Sequence, residues 1–272
     1  RRVSVFQITI LFLYLLAALA FAHGRLQPQA QRAGPIRVAA FVFAVAAIGM
    51  HANGLFQSLT HGGTINVSLV SSVSLIGLLL GVIGCVAALD EDLRGVSAGL
   101  ILLAAPAGLA TRIPQGVDSG EGLSWQLQTH VFSAMLAYGL LAAGAIVAIY
   151  ALIQDRRLRA ARLSSVNRLF APLDTTERVL HGVTTAGTVI LAMSVMLGIT
   201  FVEDLFAQHL VHKTVLSFIA LLIFGVLLAG RYVSGWRGRR AVYLYLGGFV
   251  VLCLAYFGSR MILELVLGRS WG

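Results

Sequence analysis

Residues 129–152 read THVFSAMLAYGLLAAGAIVAIYAL, an apolar run without Asp, Glu, Lys or Arg whose one histidine, His130, stands near its start. At about 1.5 Å of rise per residue, such a run is long enough to cross roughly 30 Å of hydrocarbon as a helix. Seven further runs of similar character lie near 5–22, 38–57, 66–89, 95–111, 179–201, 213–231 and 241–267. With 272 residues, 58% hydrophobic and only 11% charged, the chain departs from soluble usage toward a membrane protein. The first run lacks a polar segment with a small-residue cleavage site and is followed by Phe21, His23 and Arg25, so it reads as a retained helix. The longest polar connections, 153–178 and 112–128, are too short for a core of their own. The expectation is one all-α domain over 1–272, a polytopic bundle of about eight transmembrane helices. Run 95–111 is short and contains Pro106, which leaves open whether it crosses or is re-entrant.

The net charge of +9 is distributed by loop. Arg25, Arg32 and Arg37 follow the first run, Arg94 the third, Arg156, Arg157, Arg159, Arg162, Arg168 and Arg178 the fifth, and Arg231, Arg237, Arg239 and Arg240 the seventh. The alternate loops hold little beyond Arg112 and Lys213, beside Asp118, Glu121, Glu203 and Asp204. Cationic loops stay in the cytoplasm, so both termini are expected outside, with the arginines on anionic lipid rather than nucleic acid.

Cys85 and Cys253 both fall inside runs and lack a Cys-x-x-Cys spacing, which favours packing over redox chemistry. Gly77, Gly81 and Cys85 form a small-residue stripe suited to close helix approach. There is no phosphate-binding glycine loop, no His-Glu-x-x-His and no nucleophile elbow, and no Asp or Glu lies in the middle of a run, which weakens enzyme and ion-pump readings.

The histidines carry what chemistry remains. In the expected topology His51, His130 and His212 share the outer side. His51 lies on a face with Ala44, Ala47 and Gly54, and His130 with Ser133, Ala134 and Ala137. A smooth face suits a planar macrocycle beside an axial imidazole, and it equally suits a histidine hydrogen-bonded between packed helices. His181, at the inner side, continues into Thr184, Thr185 and Thr188, a polar stripe that fits a structural hydrogen bond first and an inner haem ligand second. His61 and His209 read as solvated loop residues. Lys213, the chain's one lysine, Arg260 (i,i+4 from Glu264) and Arg112 are the cations that propionates at the outer layer would meet.

The C-terminal third reads ERVLHGVTTAGTVILAMSVMLG at 177–198, HKTVLSFIALLIF at 212–224 and GWRGRRAVYLYLGGFVVLCLAYFGSRMILEL at 235–265. Together with THVFSAMLAYG at 129–139, these resemble the cytochrome c assembly (CcsA-type) haem-handling membrane proteins, in their YpjD-like and HemX-like branch, which implies a multi-pass protein of a bacterial cytoplasmic (inner) membrane. The run Gly235–Arg240 and the run Leu254–Ser259 are its most specific parts. The resemblance implies a haem ligand at His130. It does not imply a synthase: FVEDLFAQHLVHK at 201–213 has no tryptophan, LGRSWG at 267–272 has no histidine, and Ala229 and Gly230 stand where a histidine would end the seventh run.

The expectation is a non-catalytic membrane protein of haem handling or cytochrome c biogenesis. It would bind b-type haem non-covalently with His51 and His130 as axial ligands, His212 as the fallback for either and His181 behind them. The alternative is a membrane scaffold or regulatory interaction protein that docks cytochrome-biogenesis or haem-biosynthesis partners through its arginine-rich loops.

Overall fold

The computed structural model of the protein describes residues 4–27, 33–60, 69–111, 124–160, 165–201 and 211–258. Eight α-helices follow one another in these segments: α1 (Val5–Leu26), α2 (Ala33–Leu59), α3 (Leu69–Ala87), α4 (Arg94–Ala107), α5 (Trp125–Arg159), α6 (Leu173–Phe201), α7 (Val211–Ser234) and α8 (Arg239–Cys253). No strand occurs among the described residues. Seven of the helices are long and apolar enough to cross a membrane, and Arg94–Ala110 is a shorter apolar eighth.

The helices pack as two groups of four. In the first, α1 and α3 each lie along both α2 and α4; in the second, α5 and α7 each lie along both α6 and α8. The groups meet chiefly where α3 lies on α5. There Gly139 of α5 admits the Leu79 side chain of α3; beside this seam the Tyr150 hydroxyl donates to the Gly95 carbonyl of α4 at 3.2 Å, and Ser72 Oγ of α3 lies 2.6 Å from the hydroxyl of Tyr256, beyond α8.

Helix α4 runs the whole depth of the first group. Near its start, Arg94 pairs with Glu91 at 2.9 Å beside the Arg25–Asp92 pair, which ties in the end of α1. Pro106 has no amide for the Leu102 carbonyl, yet the helix continues past it and finishes in a 3₁₀ turn, Gly108–Ala110. At that far end the Gln7 amide, from the first turn of α1, donates to the Leu109 carbonyl, and Thr111 lies against Gly54 of α2. The segment therefore does not turn back. It tolerates its short length because most of its residues face protein.

The glycine stripe of α3 serves the close approach its sequence implies. A Cβ at Gly77 would lie 2.1 Å from Ala107 Cβ, one at Gly84 would meet Ile101 and Leu100, and Gly81 faces the Tyr14 hydroxyl. Ser97 Oγ donates across to the Gly84 carbonyl at 2.6 Å. Both cysteines are free and half-buried.

Phe12, Leu19, Val42, Met196, Leu222 and Val250 point outward and are exposed, an apolar exterior that only lipid covers at low cost. All the described ion pairs lie at one end, where α1, α3, α5 and α7 finish and α2, α4, α6 and α8 begin; Arg37–Glu91, Arg239–Asp155 and Arg231–Glu177 are among them. The sorting of arginines by loop thus becomes one basic end in space.

Beyond α8 the chain widens into a π turn, Leu254–Gly258. Such turns displace backbone carbonyls from the regular ladder and recur at functional sites. Here the Tyr138 hydroxyl donates to the Leu252 carbonyl just before the turn. The turn coincides with the Leu254–Gly258 part of the run that resembles the cytochrome c assembly proteins.

Candidate functional site

Helix α5 begins at Trp125, with Ser124 as its cap accepting from the Leu127 amide at 3.4 Å. His130 follows about one and a half turns later and is half-buried. Its Nδ1 lies 2.8 Å from the backbone carbonyl oxygen of Ser194 on α6. A carbonyl only accepts, so Nδ1 carries a proton and donates, and in the neutral ring Nε2 keeps its lone pair. Among the described residues Nε2 has no hydrogen-bond partner. Ser194 Oγ and Ser133 Oγ donate to the His130 carbonyl at 3.2 and 2.9 Å and fix the turn that carries the ring.

The ring rests against Gly198, where a Cβ would come within 3.0 Å of Cε1. Ser194 and Gly198 are one turn apart on α6, so the smooth face of α5 meets a smooth face of α6. At the rim, Trp125 of α5 pairs with Phe201 of α6, ring centroids 6.4 Å apart. Lys213, in the first turn of α7, is close enough for its charge to act on the imidazole, and its Nζ lies 5.8 Å from the centroid of Tyr256 in the π turn. Tyr256 in turn packs on Phe257 and Tyr138, at 5.1 and 5.9 Å.

A neutral imidazole held at Nδ1 by a carbonyl, with Nε2 open, is the form in which proteins present histidine to a metal. Among the described residues no three His, Cys, Asp or Glu side chains gather, so a bare ion that needs three or four protein ligands finds no cage there. Iron held by a macrocycle needs only one or two axial ligands from the protein, and the donor set at His130 fits that requirement.

His51 is placed differently. It is fully buried (0%), with Nδ1 3.2 Å from the Tyr14 hydroxyl of α1 and Nε2 2.9 Å from Ser74 Oγ of α3. As the helices stand, neither nitrogen is open to a ligand. The partners of His51 come from α1 and α3, those of His130 from α6, and the two sets share no residue.

His181 lies at the basic end, its Nε2 3.1 Å from the Tyr232 hydroxyl. Its threonine stripe is satisfied within its own helix: Thr185 and Thr188 donate to the carbonyls of His181 and Thr184 at 2.9 and 2.7 Å, and Thr184 to that of Leu180. His212 is in the first turn of α7, beside Lys213, with its side chain outside the described residues. Arg260, Glu264, Arg112, His61 and His209 lie outside them altogether. Of the expected site residues, His130 near the start of α5 and Lys213 near the start of α7 lie at the same end of the bundle. Trp125, Ser194 and Gly198 join them without having been singled out in the sequence, where the small i,i+4 pair on α6 was the available signal; Tyr256 joins them from the Leu254–Ser259 run that carries the family resemblance.

Comparison with known proteins bears on this site. The sequence model of the cytochrome C assembly protein family matches residues 38–267. The chain belongs to that family. The inner membrane protein YpjD of Escherichia coli (strain K12) is 31% identical over 245 residues, which is 87% of this chain and 90% of the relative. The protein of the same name from Escherichia coli O157:H7 gives the same figures. A 28.8 kDa protein from the nifR3-like 5' region of Azospirillum brasilense is 28% identical over 171 residues, 62% of this chain and 63% of its own. No solved structure matches the chain. The protein is a multi-pass bacterial inner-membrane member of the cytochrome c assembly family, as the residues of its C-terminal third led one to expect.

Proposed function

We propose that the protein binds b-type haem non-covalently at the His130 end of α5–α8 and acts in haem handling or cytochrome c biogenesis without making or breaking covalent bonds itself. The observation that carries this reading is the His130 Nδ1–H bond to the Ser194 carbonyl, which leaves the Nε2 lone pair without a hydrogen-bond partner among the described residues, beside the Gly198 face. His130 Nε2 is the axial ligand. Lys213 supplies the cation for a propionate, with Arg260 as the second cation expected at this layer. When bound, the haem would supply its own redox and ligand chemistry, and the chain's part is to hold, orient and shield it.

For the second axial position we infer His212, next to Lys213 on α7, in place of His51. Taking His51 would break both of its interhelical bonds. His51 is then a polar pin between α1, α2 and α3.

The test is a spectrum. Anaerobically purified protein, supplemented with haem, should show a Soret band with b-type α and β features, and His130→Ala should lose low-spin character and retain less haem. A clean preparation with no haem and no response to added haem overturns the reading.

The scaffold reading draws on the arginine-rich connection after α5. There Arg157 is held by Asn167 Oδ1 at 2.8 Å and Arg159 by Asp155 at 3.1 Å, so these arginines already serve the protein's own fold.

A further inference from the structure

A cavity, partly open to solvent, lies at the basic end of α5–α8. Ala151 and Asp155 on its wall lie roughly 30 Å or more along α5 from His130, at about 1.5 Å per residue, so it is separate from the haem site proposed above and does not rest on that reading.

Its floor is apolar, with Leu152, Leu180, Leu227 and Val242. Its rim is cationic: Arg159, Arg231, Arg237 and Arg239 stand against Asp155 and Glu177. Asp155 takes Arg239 at 2.6 Å and Arg159 at 3.1 Å, and Glu177 takes Arg231 at 3.5 Å. Four guanidinium groups against two carboxylates leave an excess of positive charge. Arg237 is exposed and makes no ion pair or hydrogen bond among the described residues.

The Gly-Trp-Arg-Gly-Arg-Arg run builds this rim. Gly235 and Gly238 take φ of +63° and +67°, a region that favours glycine. The Trp236 amide reaches back to the Gly230 carbonyl at 3.0 Å, and its ring covers Gly230, where a Cβ would lie 2.4 Å from the ring. Helix α8 starts at the rim with Gly238 as its cap and no side chain bonding its first amides, so the positive pole of the helix adds to the arginines.

We propose that this cavity binds one anionic phospholipid, with its phosphodiester at Arg237, Arg239 and the start of α8, and the beginning of an acyl chain on the leucine floor. A free inorganic anion would leave that floor without a partner. Haem would lack a ligand whose Nε2 is open, because Tyr232 holds that of His181.

The experiment is native mass spectrometry of the full chain, delipidated in detergent and reloaded with phosphatidylglycerol or phosphatidylcholine. The wild type should retain one phosphatidylglycerol in preference to phosphatidylcholine. Arg237→Gln should weaken that retention at least about fivefold, the scale expected for one arginine at an anionic headgroup. Arg178→Gln, whose partner Asp174 lies outside the cavity, should leave it unchanged. His130→Ala should lose haem and keep the lipid, which separates this proposal from the haem reading. Equal retention of the two lipids, no effect of Arg237→Gln, or displacement of the lipid by inorganic phosphate would each overturn it. So would a fall in haem content in Arg237→Gln, which would give the cavity to haem.

Discussion

Two histidines with the same kind of helical face meet opposite fates. His51 and His130 both sit among alanine, glycine and serine, and that smoothness alone serves a macrocycle or a neighbouring helix equally well. What separates them is the identity of the groups opposite. Tyr14 and Ser74 engage both nitrogens of His51, whereas the group opposite His130 is a backbone carbonyl that engages one. A backbone carbonyl has no signature in sequence, and Tyr14 and Ser74 come from other helices, so neither outcome was legible beforehand. The two variants should therefore differ. His130→Ala should shift the haem spectrum from six-coordinate low spin toward five-coordinate high spin and lower occupancy. His51→Ala should keep the spectrum and instead lower the unfolding temperature in detergent, by the equivalent of about 1 to 3 kcal/mol for two lost interhelical hydrogen bonds and a small cavity. A low-spin wild-type spectrum in His130→Ala, or haem loss in His51→Ala, would reverse the assignment of the two residues.

Among the elements, helix existence was legible because apolar length is the signal a bilayer imposes, but helix ends were not. Helix α5 continues to Arg159 and α6 begins at Leu173, past the apolar runs at 129–152 and 179–201, because i,i+4 pairs such as Arg159–Asp155 and Arg178–Asp174 support turns outside the hydrocarbon. Helix α4 shows the converse. Its sequence, short and interrupted by Pro106, leaves a crossing and a re-entrant turn both open, and it runs along the group because most of its residues face protein. Its glycines make that packing testable. A methyl at Gly95 would lie 1.8 Å from the Leu169 carbonyl oxygen, a backbone atom with little freedom to retreat. Gly95→Ala should cost about 1 to 3 kcal/mol of stability as an overpacked site. Gly182→Ala on α6, where no atom lies within 4 Å, should be neutral or gain up to about 1 kcal/mol from helix propensity. Thermal unfolding of the two variants beside the wild type reads the contrast, and equal effects would mean that α4 does not approach the 165–169 turn as described.

For the whole molecule, the arrangement of charge is the feature that passes most directly from sequence to space. Arginines sorted into alternate loops become a single basic end because the helices alternate in direction, and the His130 site falls at the opposite end. Arginine-rich connections are retained in the cytoplasm, so the basic end should face inward and both chain ends outward. Reporter fusions after residues 60, 120 and 207 should then read outside, and fusions after 30, 160 and 236 inside. Each possible failure has its own structural meaning. Reversal of every fusion would turn the His130 site toward the cytoplasm and the arginine cavity toward the outer leaflet. Reversal confined to fusions beyond residue 111 would mean that α4 fails to cross. That second result would contradict the bonds holding the two ends of α4 at opposite ends of α1, near Arg25 and at Gln7, which is why the fusion after residue 120 is the most demanding of the six.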